Sequence, residues 1–146
     1  MKIDSRSLDE TGVVAEKFLD YLRDLKGEEG AQIAGLIGDL GAGKTTFVQA
    51  LGRLLGIRES MTSPTFVIEK NYELAGDPTW NKLIHIDAYR LQNGEELMKL
   101  NFEEIAADPK NLVLIEWSKN VESALPKNYQ KIYFKFIDEN TREIKY

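Results

Sequence analysis

Between residues 8 and 25 apolar side chains return every three or four positions, at Val14, Phe18, Leu22 and Leu25, with charged residues between them. That period predicts an amphipathic helix. Ser7-Leu8-Asp9-Glu10 has capping-box spacing at its start, and Lys26-Gly27 marks its end. Gln32-Ile33-Ala34-Gly35-Leu36-Ile37 is apolar but for its first residue and suits a buried strand. Helical spacing then resumes: residues 44–55 predict a second helix with Phe47, Val48, Leu51, Leu54 and Leu55 inward and Gly56 as its stop. Residues 66–74 and 82–87 read as strands joined by the turn-rich Ala75-Gly76-Asp77-Pro78-Thr79, a hairpin pattern. The mixed, polar stretch 91–107 predicts one or two short helices. In Leu112-Val113-Leu114-Ile115-Glu116-Trp117, four apolar residues run into an acid, a strong strand signal. Residues 129–137 alternate as a further strand, and 142–146 are placed to pair with it antiparallel after Asp138-Glu139-Asn140.

Neither a repeat nor a linker interrupts this series, and 146 residues suit one domain, 1–146, with one core of ordinary size. Asp and Glu number 24 against 19 Lys and Arg, a net charge of −5, so a broad cationic face for nucleic acid is not expected. DNA is not an expected partner, and any RNA would be held by another protein. The absence of cysteine excludes disulfides, thiolate metal sites and a cysteine nucleophile, and it fits a reducing cytosol. No apolar run approaches the length of a bilayer span and the first residues lack a signal-peptide core, so a cytoplasmic chain with no membrane partner is expected.

The chemistry is concentrated where the first strand meets the second helix. Gly38-Asp39-Leu40-Gly41-Ala42-Gly43-Lys44-Thr45 fits the phosphate-binding loop G-x-x-x-x-G-K-[ST], in the strand, loop, helix order that the loop requires. Its glycines let backbone N–H groups turn towards phosphate oxygens at a helix N-terminus; Lys44 would reach the β- and γ-phosphates and Thr45 would ligate magnesium. Two acids end apolar runs, Asp87 and Glu116. Such an acid is commonly just a polar residue leaving the sheet. Beside a phosphate loop, at least one of the pair is expected at the metal, because ligands collect beyond the carboxyl ends of parallel strands; the other would orient the attacking water or also attend the ion. Trp117 reads as a core or interface aromatic close to that site. His85, between Ile84 and Ile86, reads as a packed structural residue. Thr62-Ser63-Pro64-Thr65-Phe66 reads as an ordinary polar turn from composition, while its place after the loop also suits a switch-like segment with a hydroxyl near the terminal phosphate. A guanine-reading Asn-Lys-x-Asp is absent, and Asp24-Leu25-Lys26-Gly27 precedes the loop, so ATP is preferred to GTP. A small-metabolite kinase would add an arginine-bearing lid, for which Arg90 and Arg142 are candidates; a nucleotide-dependent binding module with negligible catalysis is the other alternative.

The loop with Thr46, followed by Ser63-Pro64-Thr65-Phe66, His85-Ile86-Asp87-Ala88-Tyr89-Arg90-Leu91 and Ile115-Glu116-Trp117, closely resembles the TsaE family, also called YjeE. The resemblance runs from about the first helix to the last strands. It implies a single P-loop NTPase-like α/β domain, with a mostly parallel central sheet flanked by helices and antiparallel additions. It also implies an ATPase that uses ATP and Mg2+ and serves the threonylcarbamoyladenosine (t6A) modification of tRNA, meeting tRNA indirectly through a TsaB–TsaD pair. By the same resemblance the nucleotide contacts fall on Gly38, Asp39, Leu40, Gly41, Ala42, Gly43, Lys44, Thr45, Thr46, Thr65 and Trp117. The metal ligands fall on Thr45, Glu116 and Asp87, and the catalytic groups on Lys44, Asp87 and Glu116. One departure is Ser118-Lys119, where relatives often carry Pro-Glu after the tryptophan.

Overall fold

The computed structural model describes residues 1–62 and 68–146. The candidate switch residue Thr65 and its neighbours Ser63, Pro64 and Phe66 therefore lie outside the described residues. In chain order the elements are β1 (Lys2–Ser5), α1 (Leu8–Leu25), β2 (Gln32–Ile37), α2 (Lys44–Leu54), β3 (Glu69–Glu73), β4 (Lys82–Asp87), α3 (Gly94–Met98), α4 (Phe102–Ala107), β5 (Asn111–Glu116), β6 (Gln130–Asp138) and β7 (Thr141–Lys145). A kinked 3-10 segment, Ser118–Ala124, follows β5. The strands form one sheet of seven in the order β1-β7-β6-β2-β5-β4-β3. Its middle is parallel, from β6 through β2 and β5 to β4, and both edges are antiparallel.

The apolar runs of β2, β4 and β5 are nearly continuous because helices cover both faces of the parallel part. Alternate residues serve opposite layers. Ala34, Leu36, Leu83, Leu112 and Leu114 pack with Phe18, Leu22, Phe47 and Leu51 of α1 and α2. Ile33, Ile84, Ile86, Val113 and Ile115 pack with Leu97 of α3, Phe102 of α4 and Val121 of the 3-10 segment. This two-residue period assigns His85 and Asp87 to the face of Leu83, and Glu116 to the face of Leu114. All three thus share the side of the sheet that carries α2. The parallel register sets Asp87 opposite Glu116 at the carboxyl ends of their strands.

At the start of α1, Ser7 accepts a hydrogen bond from Glu10 N at 3.1 Å, while Glu10 reaches back to Arg6 N at 2.6 Å. The box thus closes one residue before the cap. Two expectations are corrected, and one element is added. Leu54 is 44% exposed: it closes the last turn of α2, and the inward stripe ends with Leu51 and Leu55. Trp117 leaves the strand, with φ at 60°. The N-terminal residues form a strand, β1, whose partner is β7 at the far end of the sequence.

Gly35 of β2 lies against the 3-10 segment, and a Cβ there would collide with the Ser118 side chain and stand 2.6 Å from Tyr129 Cε2. Gly12, in α1, has nothing within 4 Å of its would-be Cβ. Gly35→Ala is expected to destabilise the fold by about 1–3 kcal/mol through overpacking. Gly12→Ala should stabilise it by roughly 0.5–1 kcal/mol through helix propensity. Urea unfolding midpoints of the two variants check both signs.

Candidate nucleotide site

The phosphate loop joins β2 to α2 with its last glycine, Gly43, at φ 100°, a left-handed conformation that an L side chain rarely adopts. At the other end of the loop, a Cβ on Gly38 would stand 2.5 Å from the carbonyl oxygen of Phe134, so β6 packs directly against bare backbone. The Lys44 side chain folds back over the loop and donates to the carbonyls of Gly38 and Asp39, the latter at 2.9 Å. Its ammonium also lies 4.3 Å from the centre of the Trp117 ring, a cation–π contact. Burial holds the Lys44 pKa below the usual 10.5, opposed by the negative charges of Glu116, Asp39 and Asp87.

Two strand ends meet the first turn of α2. Glu116 is 3% exposed; its Oε1 accepts from the Thr45 hydroxyl at 3.0 Å, and its Oε2 lies 2.7 Å from His85 Nε2. Asp87 is buried, and its Oδ1 accepts from Tyr89 N at 3.0 Å, which turns the chain sharply after β4. The Tyr89 ring packs against Trp117 at 5.0 Å. Trp117 thus contacts both Tyr89 and the Lys44 ammonium, and its backbone N–H donates to Leu36 O at 3.1 Å. The adjacent 3-10 segment adds a tie from Asn120 Nδ2 to Ala88 O, at 3.0 Å.

Beside the loop lies a cleft of about 410 Å³. One wall is the start of α1, with Arg6, Ser7 and Thr11, and the other is the β6–β7 turn, with Glu139, Asn140 and Arg142. Phe134 and Ile144 give it an apolar floor. Arg142 spans cleft and loop: its Nε donates to Gly41 O at 3.1 Å, its Nη1 donates to Asp138 O at 2.6 Å, and its guanidinium lies over Phe136.

Gly41, Ala42, Gly43, Lys44, Thr45, Thr46 and Glu116 all line this cleft. Gly38 and Asp39 sit next to it as the acceptors of the Lys44 ammonium, and Leu40 is exposed at the loop's tip. Among the described residues no three carboxylate or imidazole groups gather as a cage for a cation. The donor set is instead one hydroxyl and one or two carboxylates, which suits magnesium brought in on phosphates. An octahedral ion with ligands at ~2.1 Å needs adjacent oxygens about 3 Å apart. Thr45 Oγ1 and Glu116 Oε1 have that separation, 3.0 Å. Sequence reasoning missed the contact of His85 with Glu116, whose signal was the alternation His85, Asp87 on one strand face. It also missed the α1 wall of the cleft.

A family model described as "Threonylcarbamoyl adenosine biosynthesis protein TsaE" matches residues 5–144. The chain is similar to proteins named tRNA threonylcarbamoyladenosine biosynthesis protein TsaE from several bacteria. It is 42% identical to that of Streptomyces coelicolor over 85 residues, 58% of this chain and 55% of that one. It is 40% identical to that of a Nostoc species over 111 residues, 74% and 65% of the two chains. With that of Treponema pallidum it shares 38% identity over 117 residues, 80% and 82%. The crystal structure of YdiB from Bacillus subtilis superposes with a TM-score of 0.71 at 27% identity, covering 99% of this chain and 82% of that one.

The buried ammonium of Lys44 carries a pH signature. With its pKa lowered in the folded chain, the folded state binds that proton less tightly than the unfolded state, so stability rises with pH. The window runs from the lowered value up to the unfolded value of 10.5, above which the gain is complete. Wild type should therefore gain stability relative to Lys44→Met as pH rises through that window. Denaturation midpoints of the two proteins, compared pH by pH, read the difference.

Proposed function

Since this chain belongs to the TsaE family, the threonylcarbamoyl adenosine biosynthesis proteins, we propose that it is an ATPase serving t6A modification of tRNA. It binds ATP with magnesium at the phosphate loop and hydrolyses it in support of a TsaB–TsaD pair, in the cytoplasm. The observation that carries this reading is the meeting of Thr45 and Glu116, 3.0 Å apart, beside the buried Lys44. Magnesium, when bound there, offsets the charge of the β- and γ-phosphates. The chain's own residues do the rest. Lys44 exchanges the loop carbonyls for phosphate oxygens. Thr45 and Glu116 hold the ion, and Asp87, opposite Glu116 in register, supports the ion or orients the attacking water. The nucleoside end enters the cleft between α1 and the β6–β7 turn, where hydroxyls, amides and an apolar floor suit a purine and its ribose.

The absence of a guanine-reading Asn-Lys-x-Asp supports ATP. The anchoring of Arg142 on the phosphate loop leaves it holding the site's wall instead of serving a lid over a small acceptor, which supports hydrolysis over transfer to a metabolite. The net charge of −5 supports contact with tRNA through partners.

The test is reconstitution of tRNA modification with TsaB and TsaD, together with phosphate release. Lys44→Ala should lose nucleotide binding and fail to support modification. Glu116→Gln should still bind ATP while turnover falls about 10²-fold or more. Turnover at the wild-type rate in Glu116→Gln would remove that acid from the chemistry. Label from the γ-phosphate on a small acceptor instead of free phosphate would replace the ATPase with a kinase.

A further inference from the structure

Glu116 is held from two sides. The Thr45 hydroxyl donates to its Oε1 at 3.0 Å, and His85 Nε2 lies 2.7 Å from its Oε2. His85 is 1% exposed and Glu116 3%, so water does not compete for the contact between them. The other ring nitrogen, Nδ1, is buried with no hydrogen-bond partner among the described residues. A proton on Nδ1 would be a buried donor facing no acceptor, whereas a proton on Nε2 points at a carboxylate oxygen. From this asymmetry we propose that His85 is a positioning residue. As its Nε2–H tautomer it donates to Glu116 Oε2, fixes the carboxylate's rotation, and turns Oε1 towards Thr45.

The terminal torsion of a glutamate is broad, so an unpinned carboxylate swings. Thr45 alone cannot pin it. The hydroxyl meets only Oε1 and comes from the rim of the cleft, whereas the imidazole holds the opposite oxygen from within the sheet. Outer partners of this kind set the orientation and basicity of ligating groups. What Oε1 is turned towards rests on the nucleotide and magnesium reading above. The hydrogen bond itself does not.

His85 is the chain's single histidine, so its tautomer is read directly from long-range proton–nitrogen correlations of the 15N-labelled protein. An unprotonated Nδ1 beside a protonated Nε2 is expected; a proton on Nδ1 overturns the proposal. In parallel, affinity for a non-hydrolysable ATP analogue is measured without and with Mg2+ in wild type, His85→Leu and His85→Gln. The glutamine places an amide N–H near the position of Nε2, and the leucine fills space with no donor. The analogue alone should bind all three equally. The enhancement by Mg2+ should fall about 10–100-fold in His85→Leu and largely return in His85→Gln. A wild-type Mg2+ response in His85→Leu, or an equal loss in both variants, shows a packing residue only and overturns the role. Should His85→Leu fail to fold, the wild-type tautomer and His85→Gln still decide. A wild type whose analogue affinity ignores Mg2+ overturns the magnesium reading itself, and this is seen before any substitution is made.

Discussion

A carboxylate buried at the carboxyl end of β5 is the constraint on which the site depends. Removing a charge from water is costly unless it is paired and hydrogen-bonded, and the partners of Glu116 come from different parts of the chain. Thr45 belongs to α2 and His85 to β4. The Lys44 ammonium, whose desolvation is partly offset by the charge of Glu116, sits in the same first helical turn as Thr45. Any shift of α2 along the sheet, or of β4 against β5, would strand that charge. The parallel register and the seat of the phosphate loop are thus coupled through one side chain.

Trp117 follows from the same constraint. β5 must stop at Glu116 for the acid to sit at the sheet's end, and the chain leaves at once through a left-handed residue. Tyr89, whose backbone N–H is bound by the Asp87 carboxylate, and the Lys44 ammonium both contact the indole. Each acid therefore has a structural task beside its proposed chemical one: Glu116 braces α2 against β4, and Asp87 fixes the turn that brings Tyr89 against Trp117.

Much of this was legible in the sequence, for reasons that can be named. The phosphate loop needs particular residues at fixed separations, so it is visible without a fold. β2, β4 and β5 are covered on both faces, and their unbroken apolar runs with acids at the ends of two of them mark where the sheet stops. The short helices after β4 and the closing antiparallel pair β6–β7 also emerged from local pattern. What escaped depends on contacts between distant segments. β1 is too short and too polar to declare itself without β7. The cleft has walls from opposite ends of the sequence. His85 looked like packing because its apolar neighbours, Ile84 and Ile86, face the other layer, while its own face is set by the two-residue step to Asp87.

That separation of the cleft's walls bears on how the site comes into being. Arg6, Ser7 and Thr11 stand on one side, Glu139, Asn140 and Arg142 on the other, and the loop between them is anchored by Arg142 at Gly41. A chain emerging from the ribosome presents its phosphate loop early, but with one side of its cleft still unmade. Closure over so long a stretch of sequence is entropically late. The cleft is therefore complete only once β7 has docked between β1 and β6, so its two walls are made by the last pairing of the sheet.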